Sequence, residues 1–398
     1  MSGPDEGNAR RVTGLLILAS LVALGPLSTD VYVPGLPELA EDLDTSASAV
    51  QLTVTTGLIG LAIGQLLAGP LSDAVGRRRP LRFGLGLYTV AGLLCAAVPN
   101  VAVLVVLRAA QGIGGAFAVV IAYAYVRDRY SGKQAAGYFS LMLSVTGLAP
   151  VLAPLVGGVI LDLAGWREIF LALGVLSALA LLAVARALPE SHVPEGRTSG
   201  PVYREILKDP VLVGYTLTNA LVFAAMFAYI AGSPFVLQDL HGLSAQQYSL
   251  VFAVNGAGIM VAAQISGRLL RFFGPHTLLS VGVLTSLTGA LLLLVLALAD
   301  AGLWLTLLAI FLVVAGVGFV LPNAPALALE HHGDHAGAAS ALLGCAQFLF
   351  GGLVAPLVGL GGSDSAVPMA AVMAVLTVGA LVTLVWCSRR LPVTFPSR

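Results

Sequence analysis

Apolar residues run along this chain in twelve long stretches, with the polar residues confined to short gaps between them. The stretches cover roughly 12–34, 48–70, 80–98, 102–125, 136–160, 167–187, 210–232, 246–270, 275–299, 303–326, 335–360 and 368–388. At ~1.5 Å rise per residue, a helix of about 20 residues crosses a ~30 Å hydrocarbon core. Peptide groups in lipid have no water to bond, so each stretch is predicted to be a helix that satisfies its backbone internally. The first stretch follows Arg10 and Arg11 as a signal peptide would. It is long, and further apolar stretches follow with no polar mature domain, so it is read as an uncleaved first helix.

Composition supports a membrane protein. Charged residues make up 10% of the chain and hydrophobic ones 58%, against about 25% charged in soluble domains. Charge also sets orientation. Numbering the gaps alternately places 18 of the 20 Lys and Arg on one side. Arg167 alone lies on the other, and Arg108 falls within a stretch. The excess of cations marks the cytoplasmic side, so both termini are expected in the cytoplasm of a multi-pass protein of the cell inner (plasma) membrane. The opposite gaps carry Glu38, Glu41, Asp42, Asp44, Asp162, Glu168, Asp239, Asp300 and Asp364. The formal net charge of +0 gives no sign of nucleic-acid binding.

The longest cytoplasmic gap, 188–209, is rich in Pro, Gly and charge, as a linker is. The chain on either side looks duplicated. Ala153-Pro154-Leu155-Val156-Gly157 in helix five recurs as Ala355-Pro356-Leu357-Val358-Gly359 in helix eleven. Gly69 and Gly76 at the end of helix two have counterparts in Gly267 and Gly274 at the end of helix eight. The expected architecture is all-α: residues 1–187 and 210–398 form two pseudo-symmetric six-helix bundles joined by the linker. Repeated halves around a midplane site are a common plan of secondary transporters.

Asp30 and Arg108 are ionisable residues inside apolar stretches, where a charge is expensive and so a candidate for function. Asp30 lies eight residues before Glu38 and Arg108 eight after Asn100, which places both about 12 Å below the outer boundary. A buried carboxyl that titrates between proton and substrate is a simple exchange device. The alternative is that helix one ends near Pro26 and Asp30 opens the outer loop. Arg108 stays charged throughout. It either takes part in coupling or bonds backbone carbonyls as a structural hub.

Three motifs bear on family. The gap after helix two reads Gly69-Pro70-Leu71-Ser72-Asp73-Ala74-Val75-Gly76-Arg77-Arg78-Arg79. It resembles the signature loop of the major facilitator superfamily, with Gly69 expected to let helices approach closely, Asp73 expected to favour a neighbouring helix N-terminus and Asp128 a candidate partner for the arginines. Arg108, Gln111, Gly112 and Gly114 in helix four are similar to the family's R-x-x-Q-G-x-G motif, which the resemblance links to proton coupling through Asp30, Arg108 and Gln111. Pro150, Pro154, Gly157 and Gly158 in helix five resemble the antiporter motif, with Ala149 and Ala153 in place of two of its glycines. Ser28-Thr29-Asp30-Val31-Tyr32-Val33-Pro34-Gly35-Leu36-Pro37 looks most like the first helix of the Bcr/CflA-type drug:proton antiporters. The resemblance implies a major facilitator fold exporting small amphipathic drugs by alternating access. It also implies a conformational latch of Gly69, Asp73, Gly76, Arg77, Arg78 and Asp128.

A polyspecific pocket needs aromatic walls and few polar groups. Tyr32, Tyr123, Asn219, Phe223, Met226, Asn255, Asn323 and Gln347 are the candidates. Asn219, Phe223, Met226 and Phe227 share a face of helix seven, which equally suits helix packing. No cofactor or metal site is predicted. His331, His332 and His335 read as a solvated loop, and Cys95, Cys345 and Cys387 as packing residues. No phosphate-binding loop or nucleophile–base set stands out, so no enzymatic activity is expected. The expected partners are a drug-like small molecule, protons and the lipid bilayer, with the protein a monomer. The alternatives are a nutrient importer on the same fold, or a membrane sensor or enzyme that does not transport.

Overall fold

The computed structural model describes residues 4–191, 206–330, 336–360, 362 and 365–389. Regular structure among the described residues is entirely helical. The first six long helices are α1 Pro4–Asp30, α2 Ala47–Val75, α3 Arg78–Cys95, α4 Val101–Arg129, α5 Gly132–Leu163 and α6 Trp166–Ala187. The next six are α7 Pro210–Pro234, α8 Ala245–Leu269, α9 Pro275–Leu298, α10 Leu303–Leu329, α11 Ala336–Gly359 and α12 Val367–Ser388. Among the described residues, eleven segments are long and apolar enough to cross a membrane. The remaining helix, α3, has 18 residues and carries Arg78, Arg79 and Arg82 in its first two turns.

Helix starts follow local chemistry. Ser46 Oγ accepts the Ala49 N–H at 3.2 Å to open α2, and Asn100 Oδ1 accepts the Val103 N–H at 3.1 Å to open α4. Two ends differ from the expected 48–70 and 12–34. α2 continues to Val75, so Gly69, Pro70 and Asp73 lie on a helix rather than in a gap. Charge there marks where the helix leaves the apolar layer, not where it stops. α1 ends at Asp30, and a tight turn at Val33–Gly35 leads into a short helix, Leu36–Asp42.

Small residues set the closest helix contacts. A Cβ added at Gly60 would strike the Ala109 carbonyl, and one at Gly112 would strike that of Gly57, so the α2 and α4 backbones touch. Gly282 and Gly316 do the same between α9 and α10. Gly69 corrects the expectation made for it: a Cβ there would meet no atom within 4 Å. Close approach along α2 belongs to Gly64 and Gly60, deeper along the same helix.

The residues group into two compact units. The first is Met1–Thr198 with Ile230–Ala257 and Ala355–Asp364; the second is Ser199–Tyr229, Gly258–Val354 and Ser365–Arg398. This grouping does not coincide with the division at 188–209, because parts of α7, α8 and α11 join the first unit. There the Gln51 amide donates to the Ala231 carbonyl at 3.0 Å, and the Gln238 amide to the Pro34 carbonyl at 2.9 Å. A Cβ on Gly158 would meet Ser249 Oγ, and one on Gly359 would meet Gln51 and Ser48. Linker residues 192–205 lie outside the described residues, as do His331, His332 and His335.

Candidate functional site

The last turn of α1 is polar and buried. Pro26 sits inside the helix, which continues to Asp30. The Ser28 hydroxyl donates to the Gly25 carbonyl at 2.8 Å, and the Thr29 hydroxyl to the Pro26 carbonyl at 2.9 Å. These bonds supply local partners around a proline that offers no N–H. Thr29 Oγ1 also donates to Asp30 Oδ1 at 3.0 Å. Asp30 is 6% exposed and is the one fully buried Asp or Glu among the described residues. It is thus the final residue of the helix and not part of an open loop.

Arg108 sits on α4 with no exposed surface. One terminal nitrogen donates to Gln111 Oε1 at 2.5 Å and the other to the Ser28 carbonyl at 2.7 Å. The guanidinium lies 4.5 Å from the Tyr32 ring centroid and 5.6 Å from that of Phe170, within cation–π range. Gly57 makes room for it: a Cβ there would lie 3.0 Å from a guanidinium nitrogen. Arg108 makes no ion pair with Asp30. It holds instead the carbonyl two residues before it. Tyr32, expected on a substrate wall, is fully buried beneath Arg108 and hydrogen-bonded to Thr53 at 3.2 Å. Gly157 of α5 abuts the Val31 carbonyl, so the antiporter-motif glycine packs on the residue after Asp30. Pro150 lies beside Gly256, and Pro154 is buried.

A second cluster gathers at the arginine-rich end. Arg77 is 2% exposed. It donates to Asp73 at 2.5 Å, to Asp128 at 2.8 Å and to Ser72 Oγ at 2.8 Å. Burial pulls its guanidinium down, but the Asp128 and Asp73 carboxylates outweigh that and hold it above its ordinary value. The α3 N-terminus, for which Asp73 was the expected acid, is served by Glu190. Its carboxylate accepts the Arg77 N–H at 2.7 Å and the Arg78 N–H at 3.1 Å. Gly76 has φ +89°, and a Cβ there would lie 2.9 Å from the Glu190 carboxylate. Arg78 donates to the Ala185 carbonyl at 2.6 Å at the end of α6. Sequence reasoning missed Glu190; an acid just beyond the last basic turn of helix six was the available signal.

The remaining candidates scatter. Asn219 and Gln347 meet in the second unit, with Nδ2 donating to Oε1 at 3.4 Å. Phe223 stands 4.9 Å from Phe227 and 5.6 Å from Phe348 between ring centroids. Met226 is partly buried against the apolar core of that unit. Asn323 ties α10 to α8 by donating to Ser266 Oγ at 2.7 Å, a bridging role in place of an open one. Tyr123 stacks on Phe139 with centroids 6.1 Å apart, and Asn255 is buried in the first unit. A cavity of about 400 Å³ in the first unit is lined by Glu41, Asp44, Ser48, Phe235, Asp239 and Gly359, and by none of the expected substrate residues.

Residues 18–356 match the family model described as Major Facilitator Superfamily. An uncharacterized MFS-type transporter of Bacillus subtilis is 40% identical over 376 residues, covering 92% of this chain and 93% of its own. A bicyclomycin resistance protein homolog of Haemophilus influenzae is 30% identical, covering 93% of each. The crystal structure of a D-xylose-proton symporter superposes with a TM-score of 0.75 over 96% of this chain and 98% of that one; at 19% identity the likeness is one of fold.

Proposed function

This chain belongs to the Major Facilitator Superfamily, and we propose that it is a proton-coupled exporter of small amphipathic drugs such as antibiotics. That it is a multi-pass membrane transporter and not an enzyme follows from family and fold. Efflux is supported by the resistance relative and by the helix-five motif. The observation that carries proton coupling is Asp30, the one fully buried carboxylate among the described residues, ending a helix under a guanidinium-held carbonyl.

In this reading Asp30 binds the proton, while Arg108 and Gln111 fix the backbone beside it. Because Arg108 bonds Ser28 and not Asp30, the carboxyl is free to exchange its proton without breaking an ion pair. Asn219, Phe223, Met226 and Gln347 of the second unit contact the substrate. The Arg77 cluster with Gly69, Gly76 and Arg78 acts as the conformational latch. Bundles 1–187 and 210–398 alternate access around linker 188–209, in a monomer with both termini in the cytoplasm.

Everted membrane vesicles test it. Drug uptake driven by an inward-acid gradient is expected for the wild type, with Asp30→Asn abolishing the dependence on the gradient. Gradient-driven uptake retained by Asp30→Asn across pH would overturn the assignment of Asp30. Drug movement into right-side-out vesicles instead would make the protein an importer.

A further inference from the structure

Asn219 of α7 is 1% exposed, and its Oδ1 accepts no hydrogen bond. Its only bond runs from Nδ2 to Gln347 Oε1, at a long 3.4 Å. A buried carbonyl oxygen without a donor is costly, and one in a native interior calls for a ligand or a water. The nearby surface is aromatic. Phe223 lies one turn along the same helix, tilted against Phe227 and edge-on to Phe348, the residue after Gln347. Gly351, one turn beyond Gln347 on α11, admits these rings: a Cβ there would stand 3.3 Å from Phe227 and 3.4 Å from Phe223. No Asp, Glu, Lys, Arg or His is fully buried among the described residues of this unit.

We infer that the Asn219–Gln347 amide pair with Phe223, Phe227 and Phe348 forms a subsite for an uncharged aromatic molecule bearing an N–H or O–H donor. The inference rests on the reading of the protein as a drug transporter and narrows its substrate class. Phenyl rings supply stacking area, and the unpaired Oδ1 takes one hydrogen bond. A cationic aromatic drug would find ring faces but no counter-ion here, so the subsite selects against charge by omission. Phe348, absent from the sequence-derived candidates, becomes a specificity-determining residue.

The test is equilibrium binding to the purified full-length protein. The probes are chloramphenicol, a neutral nitrophenyl compound with amide N–H and hydroxyl donors, and tetraphenylphosphonium, an aromatic cation of fixed charge. Wild type is expected to bind chloramphenicol in preference to the cation. Asn219→Leu removes the acceptor at similar volume and is expected to weaken chloramphenicol about ten-fold, with the melting temperature unchanged because the only lost bond is long. Phe348→Leu should weaken it several-fold. Asn219→Asp should reverse the order of the two probes.

Absence of chloramphenicol binding by the wild type, or unchanged binding by folded Asn219→Leu and Phe348→Leu, overturns the inference and leaves a buried water as the partner of Asn219. The two readings fail separately. Asn219-dependent binding without gradient-driven transport removes the exporter, whereas gradient-driven transport indifferent to Asn219 and Phe348 removes the subsite.

Discussion

In the first compact unit a carboxylate and two guanidiniums, Asp30, Arg77 and Arg108, are held out of water. In the second, the fully buried polar side chains among the described residues are hydroxyls and amides: Thr216, Thr218, Asn219, Ser266, Ser286, Asn323 and others of their kind. The pentapeptide at 153–157 and 355–359 recurs along the chain, so a helix-packing element repeats where the buried charge does not. Holding an ion in a low-dielectric interior costs several kcal/mol, whereas a bonded amide costs far less. Under the proposed function, the asymmetry corresponds to proton handling in one region and neutral recognition in the other.

The sharpest way to break this comparison is to neutralise the acid. Asp30→Asn keeps the volume and the Thr29 contact but removes titration. Transport measured between pH 6 and pH 8 is expected to lose its pH dependence. Next in size is Arg108→Lys. Lysine keeps the charge but cannot reach Ser28 and Gln111 together in a planar fork. Losing one charge-assisted bond is worth about 1.5–3 kcal/mol, so drug transport should fall about ten-fold or more with normal membrane insertion. In the second unit Asn323→Ala removes the bond to Ser266. It is expected to lower thermal stability by about 1 kcal/mol while leaving the pH profile of transport in place. A flattened profile there would erase the division between the regions.

Much of the fold and part of the candidate site are legible in the sequence. Lipid forbids unpaired backbone, so apolar run length alone predicts helix number, and counting residues to the gaps brings Arg108 near the end of α1, where it bonds the Ser28 carbonyl. What hydropathy could not show is where a helix stops once it leaves the apolar layer, which is why α2 reaches Val75. Nor could it show which atom a buried cation chooses. The partner of Arg108 is a backbone carbonyl, and a carbonyl has no signature in sequence. Tyr32 and Asn323 read as pocket residues by type, yet Tyr32 lies under Arg108 and Asn323 bridges to Ser266.

The smallest expected effect concerns the glycines of α2. Gly60 and Gly64 press on α4, whereas Gly69 faces open space. Alanine is favoured over glycine by about 0.5–1 kcal/mol inside a helix. Gly69→Ala should therefore leave the melting temperature equal or slightly raised, while Gly60→Ala, driven into the Ala109 carbonyl, should lower it clearly. Transport by Gly69→Ala then becomes informative in its own right. If it matches the wild type, glycine at 69 is a feature of sequence without a contact behind it. If the protein is stable but transport falls, Gly69 meets a neighbour in another state of the cycle. The glycines of α2 then divide into two that hold one arrangement together and one that is needed to leave it.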